Sequence, residues 1–127
     1  MRIDHMAVYV EDIEGAREFF VRYFKARAGE MFTNEANGFC LYFLEFDGGG
    51  RIELMKRRGI ADFGGKDIRA GYAHIALGAV SRENVNALTE RLRSDGFAVL
   101  GEPRVTGDGY YESVICGFEG NIIEITV

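Results

Sequence analysis

Two histidines and two glutamates carry the strongest chemical signal in this sequence. His5 and His74 are its only histidines, and each opens an apolar, strand-like segment. Each is followed by a glutamate in a second apolar run, Glu53 in the first half of the chain and Glu124 in the second. The histidines are separated by 74 − 5 = 69 residues and the glutamates by 124 − 53 = 71. A duplicated His–Glu pair predicts a metal site built from two imidazoles and two carboxylates.

The structural alternative for these residues is weaker than usual. A single histidine in a strand is most often structural, and a single glutamate on a strand surface is most often only solvated. Here both histidines of the chain occupy the same position of the repeat, and each has its glutamate. That coincidence favours a shared ligand role over two independent structural roles.

The donor set predicts the chemistry. Two neutral imidazoles and two carboxylates give one divalent ion a site without net charge and leave room for one or two waters. Zn or Ni are the first choices for this ion, and Co, Mn or Fe are alternatives. A substrate with two adjacent oxygens could chelate the ion, which would then stabilise an enediolate as a proton leaves the neighbouring carbon. Glu53 and Glu124 are therefore predicted to be catalytic as well as metal ligands, with Glu124 as the principal base.

Alternating strands and one helix position the first pair of ligands. Residues 3–10 alternate between apolar and polar positions, as a half-buried strand does. Asp12 is the predicted N-cap of a helix with an aromatic stripe, and Gly29 is its predicted end. The runs 39–46 and 51–55 then predict a hairpin.

The second half repeats this order. Residues 72–78 predict a strand, and Ser81, seven residues after His74 as Asp12 is after His5, predicts the next N-cap. The helix is expected to end at Asp95-Gly96, and a closing hairpin is expected in residues 110–127.

The duplication predicts one α+β domain, 1–127, made of two similar units. Neither unit is large enough to bury its own sheet alone. The predicted boundaries are module one at 1–58, a linker at 59–70, and module two at 71–127. Strand alternation points all four ligands away from the helices, and this face would line a cavity if the two sheets curved toward each other.

Composition excludes several classes of function. The net charge of −5 argues against general binding to nucleic acid or to an anionic membrane. Neither a charged-then-apolar leader nor an apolar run of about 20 residues is present, so we expect a cytoplasmic protein without a membrane span. Cys40 and Cys116 lie in apolar runs and are expected to be reduced thiols of the core.

The motifs around the four ligands resemble those of the vicinal oxygen chelate (VOC) superfamily, to which glyoxalase I, bleomycin-resistance proteins and extradiol dioxygenases belong. They are His5-Met-Ala-Val-Tyr-Val, Arg51-Ile-Glu53-Leu-Met, Gly71-Tyr-Ala-His74-Ile-Ala-Leu and Phe118-Glu-Gly-Asn-Ile-Ile-Glu124-Ile. The resemblance covers nearly the whole chain. It implies two tandem βαβββ modules whose curved sheets form a metal-binding cavity.

Two His and two Glu at these positions resemble the ligand set of glyoxalase I (lactoylglutathione lyase). The resemblance implies a metal-dependent lyase or isomerase acting on a small oxygenated or thiol-conjugated substrate. Bacterial glyoxalase I has an Arg and an Asn that hold glutathione where this chain has Tyr9 and Arg57. These two residues are therefore expected to bind the substrate, either glutathione or another thiol adduct.

Two alternatives stay open at this point. One is a CoA-thioester epimerase, whose relatives usually have Gln at the position of Glu53. The other is a non-catalytic small-molecule binding or drug-resistance protein. In each case we expect a homodimer, because every module leaves one sheet face that needs a partner. The four ligands could then come from the modules of one chain or of two.

Overall fold

The computed structural model describes residues 5–59, 72, 74–107 and 109–127. The chain divides into two compact units, within residues 1–63 and 64–127. The beginning of the first predicted strand and all of the predicted linker except Gly59 lie outside the described residues.

The first unit is a five-stranded sheet with one helix. Its elements are β1 (His5–Tyr9), α1 (Ile13–Phe24), β2 (Arg27–Ala28), β3 (Phe32–Asn34), β4 (Phe39–Glu45) and β5 (Arg51–Lys56). The strand order is β1-β5-β4-β2, and β3 also pairs with β4. Strand β1 runs parallel to β5, whereas β4 and β5 form the predicted antiparallel hairpin.

The second unit repeats this plan with four strands. Its elements are β6 (Ile75–Gly78), α2 (Arg82–Ser94), β7 (Val99–Val105), β8 (Tyr111–Cys116) and β9 (Ile122–Thr126), with a 3-10 turn at Phe118–Gly120. The strand order β6-β9-β8-β7 matches that of the first unit. Strand β7 lies at the edge of this sheet and shows register shifts against β8. At the corresponding edge of the first sheet, two short strands, β2 and β3, pair with β4 in place of one long strand. The two-module α+β fold is thus confirmed.

Both predicted helix starts are confirmed by their hydrogen bonds. The carboxylate of Asp12 accepts a bond from the amide of Gly15 at 3.0 Å, and the hydroxyl of Ser81 accepts one from the amide of Asn84 at 3.2 Å. Each bond satisfies an amide that the first helical turn leaves without a partner.

Two predicted boundaries were wrong. Helix α1 ends at Phe24, and Lys25 adopts a left-handed conformation there (φ 55°). Gly29 belongs instead to the sheet edge, where its amide donates to the carbonyl of Phe43 at 3.0 Å. Strand β6 begins at Ile75 rather than at Tyr72, which is 96% exposed.

The core lies between each helix and the inner face of its sheet. Ile52 and Leu54 of β5, and Ile123 and Ile125 of β9, are at most 3% exposed and lie on this side. Because successive side chains alternate, the residues between them occupy the opposite face. We call that opposite face, in each unit, the ligand face. It carries the predicted metal ligands, as expected.

Polar contacts also join helix to sheet. In the second unit, buried Thr89 of α2 donates to the carbonyl of Val85 at 2.7 Å and lies 2.7 Å from the hydroxyl of Ser113 on β8. Since the single Thr89 proton is used on Val85, Ser113 must be the donor to Thr89. Both hydroxyls are fully buried, so each depends on this contact.

The corresponding contact of the first unit is exposed and charged. Tyr42 of β4 donates to the carboxylate of Glu14 on α1, and Arg17 donates to the same carboxylate. The Tyr42 hydrogen bond, followed by that of Arg17, holds the pKa of Glu14 below its ordinary value. The same bond raises the pKa of Tyr42.

The sequence also predicted reduced cysteines and a chain without a membrane span. Cys40 and Cys116 are free thiols, as expected, but both are half-buried rather than part of the core. Neither helix in the described part of the chain has the length and hydropathy needed to cross a membrane.

Thr89→Val should lower the free energy of unfolding by about 1–3 kcal/mol, because it leaves the Ser113 hydroxyl buried without an acceptor. Adding Ser113→Ala should recover part of that loss, since the unpaired donor is then removed. Urea unfolding of the two single variants and the double variant measures this coupling. Strictly additive effects would contradict the buried pair.

Candidate metal centre

The first His–Glu pair lies on the ligand face of the first unit. Strand β1 places His5 opposite Arg51 and Ala7 opposite Glu53 on β5, so His5 and Glu53 are diagonal neighbours. The Nε2 atom of His5 is 3.5 Å from the Oε2 atom of Glu53. The His5 side chain is 38% exposed and that of Glu53 16%, so the pair is open to a ligand from one side.

The second pair has the same construction. His74 directly precedes β6, whose Ala76 lies opposite Glu124 on β9. The Nε2 atom of His74 is 3.1 Å from the Oε2 atom of Glu124, and the side chains are 40% and 20% exposed. The two pairs therefore match in atoms, spacing and exposure.

Each pair combines two donor types that bind divalent metals. An imidazole nitrogen and a carboxylate oxygen lie 3.1–3.5 Å apart in each pair, and both atom types bind Zn and similar ions. Among the residues that the structure describes, no group of three or more His, Cys, Asp or Glu side chains is placed to hold a metal ion. The structure thus brings the four predicted ligands together as two pairs.

Sequence patterns missed the aromatic and basic residues beside the first pair. Phe43 of β4 lies opposite Glu53, and its ring meets the His5 ring edge-on at 5.5 Å and 86°. The guanidinium of Arg51 lies over the same ring, with Cζ 4.7 Å from the ring centre. The signal that could have found Arg51 is its spacing, since residues 51 and 53 must share a strand face.

The second pair has different neighbours at the corresponding positions. Val114 is opposite Glu124, and Ile122 precedes it on the same face. Thr126 follows Glu124 on that face, and its buried hydroxyl has no hydrogen-bond partner in the described part of the chain. Glu112, which lies opposite Thr126, is paired instead with Arg104 at 3.5 Å.

Of the two predicted substrate residues, Tyr9 lies farther along the first ligand face and Arg57 lies just beyond the end of β5. Tyr9 is opposite Met55 and is 44% exposed. Arg57 follows the end of β5 and is exposed. Each is four residues from its ligand, which corresponds to roughly 13 Å along a strand. The structure therefore places them at one end of the face, away from the His5–Glu53 pair.

Comparison with known proteins agrees with this arrangement. A family model described as "Glyoxalase/Bleomycin resistance protein/Dioxygenase superfamily" matches residues 2–125. A search of curated proteins found no match.

Several solved structures share the fold. A glyoxalase family protein from Bacillus cereus is 22% identical with a TM-score of 0.80, over 99% of this chain and 93% of its own. Glyoxalase I from Zea mays is 20% identical with a TM-score of 0.80, over 98% of this chain and 44% of its own. The trypanothione-dependent glyoxalase I of Leishmania major is 19% identical with a TM-score of 0.78, over 98% and 85%.

Thr126→Val should leave the free energy of unfolding unchanged or raise it by about 1 kcal/mol, because the hydroxyl that it removes is buried and has no hydrogen-bond partner among the described residues. Thr89→Val is the matched control, since the same substitution there removes a paired hydroxyl and should destabilise. Urea unfolding of both variants without added metal makes the comparison. Equal destabilisation by the two would show that Thr126 has a partner.

Proposed function

This chain belongs to the Glyoxalase/Bleomycin resistance protein/Dioxygenase superfamily, and from that membership we propose that it is a metal-dependent enzyme of glyoxalase I type. It would act as a lyase or isomerase that moves a proton on a small oxygenated or thiol-conjugated substrate. The observation that carries the proposal is the duplicated pair, with His and Glu side chains 3.5 Å and 3.1 Å apart at the same place in both units.

The proposed centre joins the two pairs on one divalent ion. His5, Glu53, His74 and Glu124 would be its ligands, with Zn or Ni first and Co, Mn or Fe as alternatives. The pairs could come from one chain or from two chains of a homodimer. When bound, such an ion supplies Lewis-acid stabilisation of negative charge on two adjacent substrate oxygens.

The two glutamates would carry the proton. We assign Glu124 as the base that removes it from the carbon beside the oxygens, and Glu53 as the group that returns it. The support for this division is the difference in neighbours. In the strand register Val114 and Ile122 are apolar neighbours of Glu124, whereas the cation Arg51 precedes Glu53.

Tyr9 and Arg57 would bind the part of the substrate that does not react. Their distance of roughly 13 Å from the first pair suits the far end of an extended conjugate. An anionic thiol adduct, of glutathione or of another thiol, would meet the Arg57 guanidinium there. The net charge of −5 keeps nucleic acid outside the proposal, and the proposed location is the cytoplasm.

The family description also names bleomycin resistance proteins. A binding protein without turnover is therefore the second candidate, and a CoA-thioester epimerase is the alternative within enzymes. Metal titration and turnover assays distinguish the glyoxalase I-type enzyme from these two candidates.

Metal titration tests the centre. We expect about one divalent ion per chain by elemental analysis, and a fall of at least about tenfold in metal affinity for His5→Ala and for His74→Ala, since each loses one ligand. Tyr72→Ala is the control, because Tyr72 is 96% exposed and close to His74 in sequence. Wild-type affinity in either histidine variant would assign that histidine a structural role.

Turnover tests the base. Glu124→Gln keeps an oxygen ligand but cannot accept a proton, so the rate should fall by roughly 10²- to 10⁴-fold while substrate binding persists. The assay uses methylglyoxal with glutathione and then with other thiols. Unchanged turnover would give the base role to Glu53. If metal-loaded wild type turns over none of these hemithioacetals, the epimerase or the binding protein becomes the better assignment.

A further inference from the structure

Arg51 is the cation nearest in sequence to either proposed glutamate ligand. It lies two residues before Glu53 on the same ligand face, roughly 7 Å away along the strand. In the register of the sheet it is opposite His5 on one side and Glu45 on the other. Arg51 thus borders the reacting part of the proposed site, whereas Arg57 lies about twice as far from Glu53.

Phe43 holds the Arg51 guanidinium beside the pair. The ring lies under the guanidinium at 4.7 Å and meets His5 edge-on at 5.5 Å. A guanidinium over an aromatic face is attracted to the ring and keeps its N–H donors at its rim. Those donors form a planar fork that matches a carboxylate. Arg51 is therefore oriented by a residue that also contacts the proposed metal ligand.

Arg51 brings a positive charge to this end of the ligand face, beside the first pair. In the proposed centre, the charges of two carboxylates and one divalent ion would cancel. Glu45 opposes the Arg51 charge from the neighbouring strand, but Glu45 is exposed while Arg51 and Phe43 are half-buried. Solvent screens an exposed carboxylate, so that it contributes little.

Among the described residues of the second unit, the corresponding positions hold neither a cation nor an aromatic ring. Ile122 occupies the position of Arg51, and Val114 that of Phe43. Within the described residues, the His–Glu pair is common to both units, whereas this stacked cation lies beside the first pair.

From these contacts we propose that Arg51 is a specificity-determining residue that binds a carboxylate of the substrate. The substrate class is then a small compound with two adjacent oxygens and, a few bonds away, an anionic carboxylate. This inference rests on the proposed function, because it assumes that the adjacent oxygens bind at the metal.

A pair of probes isolates the carboxylate. One is 2-hydroxyglutarate, and the other is the same molecule with its distal carboxylate masked as a methyl ester. Both keep the adjacent oxygens, so only the distal charge differs. Calorimetric titration of each probe into metal-loaded and metal-free protein gives four affinities for wild type and for each variant.

Wild type should bind the diacid about tenfold more tightly than the ester, which is the order expected of one charge-assisted hydrogen-bonded contact. Arg51→Gln should bring this ratio to about one without changing ester affinity, which also shows that the site remains folded. Arg51→Lys should keep part of the preference, because it keeps the charge without the planar fork. Glu45→Gln should leave the preference nearly unchanged, because solvent already screens that exposed carboxylate.

The matched control is Arg22→Gln, which removes a guanidinium stacked on Tyr23 at 5.2 Å on helix α1, outside the ligand face. It should leave the ratio as in wild type. A tenfold preference that persists in Arg51→Gln would overturn the assignment of Arg51. Failure of the proposed function would give a different result. Each probe would then have the same affinity for the metal-loaded protein as for the metal-free protein.

Discussion

The period of two along a β-strand is the constraint on which the rest of this structure depends. Each sheet must bury one face against its helix, and Leu54 and Ile125 do so with no exposed surface. Their sequence neighbours Glu53 and Glu124 are thereby forced onto the opposite face. A shift of one residue in either strand would place a carboxylate in the core and an aliphatic side chain at the site. Core packing and ligand placement are thus fixed by the same register.

The parallel pairing of the first and last strands of each unit adds the histidines. A parallel strand delivers His5 beside Glu53 and His74 beside Glu124 without a hairpin between them. In each unit the helix carries the chain from the first strand to the opposite edge of the sheet, and the closing hairpin then brings the last strand beside the first. Helix, core and His–Glu pair are therefore parts of one arrangement that occurs twice. This common origin explains why the two pairs agree in geometry although their neighbours, Arg51 and Ile122, differ in chemistry.

Prediction from sequence was accurate where a local signal existed. The caps Asp12 and Ser81, the hairpin strands and the faces of the ligand-bearing strands all follow from short-range patterns. It was least accurate at sheet edges. Strands β2, β3 and β7 carry mixed or short patterns, and Gly29 was assigned to the end of a helix although it hydrogen-bonds to Phe43 in the sheet. Edge strands are defined by their pairing partner rather than by their own composition.

The sequence by itself determined the repeat, the two-module fold class and the identity of the His–Glu pairs, because each depends on residue type and periodicity. Only the tertiary structure decided which side chains surround those pairs. Phe43 reaches His5 across the intervening strand β5, and the Thr126 hydroxyl is buried without a hydrogen-bond partner among the described residues. Contacts of this kind join residues distant in sequence, and they depend on pairing register and rotamer, which no local pattern encodes.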